Sequence, residues 1–172
     1  MEIHYQENIP DHFPDNSRVW IYQSNRPLSI SEEKEINNLL TGFVAGWNTH
    51  GNEVNGFGRV FFKHFIVLIA DETKFGISGC STDSSVRMIR QIENKFDLDL
   101  LDRLKIALLI ENEVIVKTYP SVKKDWEEKN LPDHVLYFNN LILDKKEFCR
   151  NWLLPLQQGW LGKKLLPLQQ SL

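Results

Sequence analysis

The sequence predicts a single α+β domain over residues 1–172 with a ferredoxin-like core. The chain is 42% hydrophobic and 25% charged, and it is long enough to bury one core without cross-links. Its first six predicted elements follow the order strand, helix, strand, strand, helix, strand, which is the split βαβ arrangement. The fourth element, residues 65–70, is apolar throughout and suits a central strand covered on both faces. We therefore expect an antiparallel sheet of order 4-1-3-2 with both helices on one face.

The chain begins with a leader, residues 1–17, for which no regular structure is predicted. Residues 19–23 are rich in β-branched and aromatic types, which favours a strand. Ser29, with Glu32 three residues later, matches a capping box, so a helix is predicted to begin there. Apolar residues then recur at helical spacing and predict the buried face of that helix: Ile36, Leu39, Leu40, Phe43, Val44 and Trp47. Gly51 is placed to end the helix with a left-handed cap.

Four further elements complete the predicted core. Two strands are predicted over residues 53–62 and 65–70, the first of them interrupted by two glycines that allow a close approach of another element. Residues 71–79 are predicted to form a loop. A second helix is predicted over about 82–96, because its apolar residues again follow helical spacing. A strand over residues 105–110 is the sixth element.

The rest of the chain adds elements around this core. They are predicted as a strand over 114–118 that closes a hairpin, a helix near 122–129, a strand over 135–138 and a short helix from Asp144 to about Pro155. The sequence Leu-Leu-Pro-Leu-Gln-Gln occurs at 153–158 and again at 165–170. The leucines of the apolar tail, residues 161–172, offer a surface on which a second copy can pack. A homo-oligomer formed through the tail is therefore one partner prediction.

Charge and composition narrow the classes of function. The net charge of −3 gives no strong attraction to nucleic acid or to an anionic membrane, so neither partner is expected. Residues 55–62 match part of the RNA-recognition signature, but Asn55 and Arg59 stand where that signature needs a basic residue and an aromatic one. The longest apolar run has strand length, which predicts no membrane-spanning helix.

The cysteines and histidines predict an intracellular protein without a metal. Cys80 and Cys149 are far apart in the chain and form a weak disulfide framework, so we expect free thiols in the cytoplasm. The N-terminal residues have neither the basic nor the apolar region of a signal peptide. The five histidines show no spacing typical of metal ligands, and no metal or other cofactor is predicted.

The segment 79–86, Gly-Cys-Ser-Thr-Asp-Ser-Ser-Val, is the most unusual in composition. It lies where the second helix should begin, and a helix N-terminus presents unpaired N–H groups and partial positive charge. Hydroxyl groups around such an end can hold a phosphate or carboxylate. The predicted ligand-binding residues are Ser81, Thr82, Asp83, Ser84 and Ser85. The alternative interpretation is that one or two of them cap the helix and the others are solvated.

Cys80 raises a second hypothesis, because a thiol in the first turn of a helix can have a lowered pKa and act as a nucleophile. In the split βαβ layout, the segments that carry His50 and Asp71 lie at the same end of the sheet as Cys80. A catalytic group with Cys80 as nucleophile, His50 as base and Asp71 or Asp83 as orienting group is therefore a prediction. The alternative is that Cys80 is a small buried apolar residue.

Several segments together resemble a small family of bacterial proteins that often carry the label ABC transporter ATPase. They are residues 19–24, Trp47 with His50-Gly51, Asp71-Glu72, the Gly-Cys-Ser-x-Asp-Ser-Ser-Val motif at 79–86, and residues 138–141. The resemblance implies a self-contained cytoplasmic protein in which the Cys80 segment and His50-Gly51 belong together. It implies no reaction. The label itself conflicts with the sequence, because the only Gly-Lys pair, Gly162-Lys163, lacks the rest of a phosphate-binding loop.

Two functions are therefore predicted from the sequence. The first is a ligand- or partner-binding module that takes a small anion or a protein partner at residues 80–85. The alternative is a cysteine-dependent hydrolase or acyl transferase that uses Cys80 and His50.

Overall fold

The computed structural model describes residues 4–49, 51–73 and 79–166. Within them the protein is an α+β structure with an antiparallel sheet of three strands, a second antiparallel sheet of four, and a two-stranded hairpin. The strands are β1 (Arg18–Gln23), β2 (Asn48–Thr49), β3 (Asn52–Glu53), β4 (Asn55–Phe61), β5 (Phe65–Asp71), β6 (Lys105–Ile110), β7 (Glu113–Thr118), β8 (Leu136–Phe138) and β9 (Leu153–Pro155). The helices are α1 (Ile30–Ala45), α2 (Gly79–Phe96), α3 (Tyr119–Glu127), α4 (Lys145–Asn151) and α5 (Gly159–Leu165).

The first sheet has the order β1-β5-β4. This agrees with the part of the expected order that concerns the first three core strands. The apolar run 65–70 is the central strand, as predicted, and all six of its residues are fully buried. Side chains of successive strand residues point to opposite faces. Ile66 and Leu68 accordingly pack against helices α1 and α2, whereas Phe65, Val67 and Ile69 pack on the other side of the sheet.

The position of the fourth core strand was predicted wrongly. Strand β6 does not lie beside β1; it is paired with β7 and β8 in the second sheet, whose order is β7-β6-β8-β9. The reason is that β6 is apolar on both faces: Ala107 and Leu109 face the first sheet, while Ile106 and Leu108 pack against α3 and α5. One face of the sheet is exposed to solvent in a two-layer ferredoxin-like fold, so β6 buries more apolar surface as a strand of the second sheet, where both of its faces are covered.

The outer edge of β1 is held instead by a short segment after β8. The Val19 N–H donates to the Leu143 carbonyl over 2.9 Å, and the Lys145 N–H donates to the Ser17 carbonyl over 2.8 Å. Between them, Arg18 and Asp144 form an isolated antiparallel bridge. Only the first half of β1 is covered in this way.

The space between the two sheets is filled by an aromatic cluster, which consists of Tyr5, Phe61, Phe62, Phe65, Phe138, Phe148 and Trp152. The leader, for which no regular structure was predicted, contributes to it through a 3-10 helix over Tyr5–Asn8. The Tyr5 hydroxyl donates to the Phe148 carbonyl over 2.7 Å, and burial raises the pKa of Tyr5 to about 12. The leader therefore forms part of the core.

Helix α1 begins as predicted and ends earlier. Ser29 and Glu32 form both hydrogen bonds of a capping box, but the helix stops at Ala45. Trp47, expected on the helix, is buried just beyond its end, and its carbonyl accepts from the Val54 N–H over 2.9 Å. Gly51 has a φ of +82° in the turn between β2 and β3 rather than at a helix cap.

The C-terminal elements also differ in part from the prediction. The helix that begins at Asp144 ends at Asn151, and the first Leu-Leu-Pro-Leu-Gln-Gln sequence supplies β9. Leu161 and Leu165 of the predicted apolar tail are buried inside this chain on α5, whereas Leu166 is 46% exposed. The second copy of the repeat therefore begins in a helix and not in a strand.

The Glu32 carboxylate predicts a pH-dependent contribution to stability. It accepts hydrogen bonds from the Arg26 guanidinium and the Ser29 N–H, which lower the pKa of Glu32 to about 2. A lowered pKa stabilises the folded state above the unfolded pKa of about 4.3, and the effect is lost as the pH falls toward 2.

We therefore expect Glu32→Gln to lower the free energy of unfolding by roughly 1–2 kcal/mol at pH 7 and by much less at pH 2.5. Urea denaturation of both proteins at the two pH values measures this difference. An equal loss at both pH values would show that the charge of Glu32 contributes nothing.

Candidate functional site

A cleft lies between β1 of the first sheet and β6 of the second, and we call it the β1–β6 cleft. It encloses about 270 Å³ and is lined by residues 21–23 of β1, Lys105 and Ile106 of β6, Leu100 and residues 102–104 of the loop before β6, Phe138 of β8, Asn140 and Leu141 after β8, Tyr119 of α3, and Trp160 and Lys164 of α5. This is the place where a ferredoxin-like fold would have paired the two strands. The displacement of β6 into the second sheet therefore creates the cleft.

Backbone groups of β1 face this cleft. Because Val19 donates away from β5, the antiparallel ladder directs the N–H and C=O groups of Ile21 and Gln23 away from β5 as well. No strand of the described chain pairs with this half of β1, although the Asn140 side chain is hydrogen-bonded to the Gln23 side chain. On the opposite wall, the pairing of β6 with β8 includes only Leu108 and Leu109.

The charged residues of the cleft leave two cations without an ion pair among the described residues. The Lys105 ammonium group is 3.2 Å from carboxylate oxygens of both Asp99 and Asp102. Arg103 has no such partner in the described chain. The Lys164 ammonium group instead lies over the rings of Tyr119 and Trp160, with centroid distances of 5.4 and 5.6 Å. Arg103 and Lys164 therefore give the cleft a positive charge that is available to an anion.

Two polar side chains of the cleft, Asn140 and Trp160, differ in their hydrogen bonds. The side-chain amide of Asn140 donates to the Gln23 side chain over 2.9 Å, and its carbonyl accepts from the Trp152 indole N–H over 3.0 Å. Asn140 thereby connects the cleft to the aromatic cluster. The indole N–H of Trp160 is buried and has no hydrogen-bond partner within the described residues.

Tyr22 connects the cleft to the predicted site on α2. Burial raises the pKa of Tyr22, while the Ser85 hydroxyl beside it and the charge of Arg103 act in the opposite direction. Ser85 is fully buried, and its hydroxyl donates to the Thr82 carbonyl over 2.7 Å. Ser85 therefore packs between α2 and β1. Among the other predicted ligand-binding residues, Asp83 is exposed, and Thr82 and Ser84 are partly exposed.

The predicted catalytic residues are only partly within the described chain. His50 lies outside it, and so do the side chains of Cys80 and Ser81. Asp71 ends β5 and accepts hydrogen bonds from the N–H and the hydroxyl of Thr73, over 2.9 and 2.6 Å. Strand β2, which directly precedes His50, lies against α2. The distance from Cys80 to His50 stays a prediction.

Sequence reasoning missed the cleft, although it had noted some of its residues. Residues 19–24 and 138–141 were noted as carriers of the family resemblance, and both segments meet in the cleft. No local pattern marks Arg103, because its position depends on the path of the chain between α2 and the second sheet.

Comparison of the chain with family models, with curated proteins and with solved structures finds no match. The described residues contain no helix long and apolar enough to cross a membrane. Nor do they contain a group of three or more histidine, cysteine or acidic side chains placed to hold a metal ion.

Proposed function

We propose that the protein is a binding module and that its ligand or partner occupies the β1–β6 cleft. One observation carries this proposal: the cleft between β1 and β6 combines an apolar lining with two cations, Arg103 and Lys164, that have no carboxylate partner among the described residues. Small-molecule and peptide sites commonly combine an apolar lining with a few well-placed polar groups. The volume of about 270 Å³ suits a small ligand or a single large side chain.

Cytoplasmic location and the family resemblance are compatible with this proposal. The sequence suggested an anion site at the start of α2. We propose the cleft as the anion site instead, because Arg103 and Lys164 give it positive charge. We propose a resemblance to the ferredoxin-like fold only for α1, α2 and the first sheet.

Fragment screening by NMR tests the proposal. We expect apolar carboxylates to shift the amide signals of Ile21 and Gln23 and the indole signal of Trp160 more than neutral or cationic analogues do. Arg103→Gln should weaken binding roughly tenfold or more, because a hydrogen bond to a charged group contributes about 1.5–3 kcal/mol. The matched control is Arg90→Gln, an exposed arginine of α2 that does not line the cleft.

Two results would refute the proposal. One is a set of ligand-induced shifts that maps away from the cleft. The other is an equal loss of affinity in Arg103→Gln and Arg90→Gln, which would indicate a nonspecific effect of net charge.

The start of α2 is a second candidate, and the contact of β2, which directly precedes His50, with some part of α2 is compatible with it. In this case Cys80, with His50 and Asp71, would serve a hydrolase or acyl transferase. The test is the pH dependence of Cys80 alkylation in a Cys149→Ser background. This background leaves Cys80 as the single thiol of the chain. Alkylation that reaches its plateau well below pH 8.5 supports the enzyme, and a native rate near zero excludes it.

A further inference from the structure

We infer that the ligand of the β1–β6 cleft is a small aromatic carboxylate that carries a neutral oxygen acceptor, such as a ketone, on the ring position opposite the acid. The carboxylate then lies at the mouth of the cleft with Arg103 and Lys164, and the neutral oxygen accepts a hydrogen bond from the Gln23 side chain inside. The inference rests on the proposed function and specifies the class of ligand.

The Gln23 side chain indicates the neutral acceptor. Gln23 lines the cleft and is only 7% exposed. Its Oε1 accepts from the Asn140 side chain over 2.9 Å, whereas its Nε2 donates to no described residue. Buried polar groups of folded proteins are normally hydrogen-bonded, and a buried donor without a partner destabilises the protein. An oxygen atom of a ligand in the cleft would supply the partner that Nε2 lacks.

The remaining polar side chains of the cleft also call for a ligand that accepts hydrogen bonds. The Asn140 carbonyl already accepts from an indole N–H of the aromatic cluster over 3.0 Å, and the Asp102 carboxylate accepts from the Leu104 N–H over 2.8 Å. The side-chain groups without a hydrogen-bond partner or a carboxylate partner in the described chain are the Gln23 Nε2, the buried Trp160 Nε1 and the two cations. All of them are donors, so a ligand whose polar groups are oxygen acceptors complements them.

The burial of these donors separates the charged end of the ligand from its neutral end. Arg103 and Lys164 are exposed, whereas Gln23 is buried. A carboxylate costs more free energy to bury than a neutral carbonyl does, so the carboxylate belongs with the exposed cations. The Arg103 guanidinium can hold both oxygens of a carboxylate at once. The neutral acceptor belongs with the neutral amide donor inside.

Aromatic side chains line the cleft both inside and nearer its mouth, which indicates that the body of the ligand is a ring. Tyr22 and Phe138 are buried, and Tyr119 and Trp160 are partly exposed. Aromatic rings in contact gain stability from offset-stacked and edge-to-face arrangements, beyond the gain from buried area. A flat ring with substituents at opposite positions also directs them to opposite ends of the cleft.

The experiment compares three acids that differ in one group each. The compound para-acetylbenzoate has both proposed features, para-isopropylbenzoate replaces the ketone by an apolar group of the same shape, and the cyclohexane analogue of para-acetylbenzoate replaces the aromatic ring. Affinities for the full chain are measured by NMR titration, followed at the Gln23 side-chain amide and the Trp160 indole. Gln23→Met removes the amide donor, and Gln91→Met makes the same exchange at an exposed position of α2 that does not line the cleft.

We expect para-acetylbenzoate to shift the Gln23 side-chain amide and to bind at least about fivefold more tightly than para-isopropylbenzoate, because only the ketone accepts the hydrogen bond. The cyclohexane analogue should bind several-fold more weakly than para-acetylbenzoate. Gln23→Met should abolish the preference for the ketone, and Gln91→Met should keep it. The preference is a ratio of two affinities on one protein, so it is measurable on the wild type even if Gln23→Met does not fold.

Equal or tighter binding of para-isopropylbenzoate to the wild type would overturn the inference, because the apolar group is favoured wherever no donor faces it. Equal binding of the cyclohexane analogue would also overturn it. In both cases the acids still bind in the cleft, and the proposed function stands. If none of the three acids shifts a residue of the cleft, the inference and the proposed function both fail.

Discussion

Replacement of Trp152 by alanine is expected to lower the free energy of unfolding by roughly 3–5 kcal/mol, which is typical of the loss of a large buried aromatic side chain. Trp152 is fully buried at the centre of the aromatic cluster. The centroids of the six other rings lie between 4.5 and 5.8 Å from its own. These rings come from the leader, from the first sheet, from β8 and from α4. The substitution therefore weakens the packing of the two sheets at several points at once.

Trp152→Phe is the matched control, because it keeps an aromatic ring at the same place and loses the indole N–H that donates to Asn140. We expect it to lose roughly half as much stability as the alanine variant. Thermal and urea denaturation measure both, and a decrease in melting temperature of roughly 6–20 °C is expected for Trp152→Ala. A decrease of less than about 2 °C would show that the sheets do not depend on this residue.

Replacement of Gly162 by alanine is expected to cost about 3 kcal/mol, at the upper end of the range for overpacked sites. A Cβ atom at Gly162 would overlap the backbone carbonyl of Gln157, and a backbone group cannot rotate away as a side chain can. Helix α5 would have to move away from the segment before it. This movement would displace Leu161 and Leu165 from the core of the second sheet and Trp160 from the cleft.

Gly42→Ala is the control for the Gly162 variant. Gly42 lies on an exposed turn of α1, where an added Cβ meets no atom within 4 Å. Alanine is the better helix former, so this variant should gain about 1 kcal/mol. Opposite changes in the urea midpoints of the two variants are the expected result. If both variants lose stability equally, the close contact at Gly162 is not the cause.

Much of the secondary structure could be predicted because it depends on neighbours in the chain. The Ser29–Glu32 capping box needs only a spacing of three residues, and it forms as predicted. The apolar run 65–70 similarly indicates a strand that is covered on both faces. The two glycines of β4 were also predicted for a close approach, and Gly56 and Gly58 lie directly against Trp47 and Leu40.

The errors fall where distant segments compete for one surface. Trp47 continues the helical spacing of α1, but it lies beyond the end of the helix, where it is buried against Phe43 and Trp20. The leader has no strong local pattern, and it becomes ordered because Tyr5, Ile9 and Phe13 are buried in the core between the sheets. In both cases the free energy of burial exceeds the local preference of the chain.

The candidate site shows the same division. Sequence composition drew attention to residues 79–86, because helix-capping residues are visible in any sequence. The cleft is built from residues that are individually ordinary and come from most parts of the chain, from Ile21 to Lys164. Its two cations are distinguished only by the absence of an ion pair in the described structure, which no sequence pattern reports.

The sequence by itself determined the α+β class, the order of the main core elements and the approximate extent of the longer strands and helices, because these follow from periodicity, capping and turn residues over a few positions. The tertiary structure alone decided that β6 joins a second sheet, that the leader and α4 cover the first, and that a cleft remains between the two. The physical reason is that a strand with two apolar faces must be covered on both sides, and only the folded chain shows which segments supply that cover.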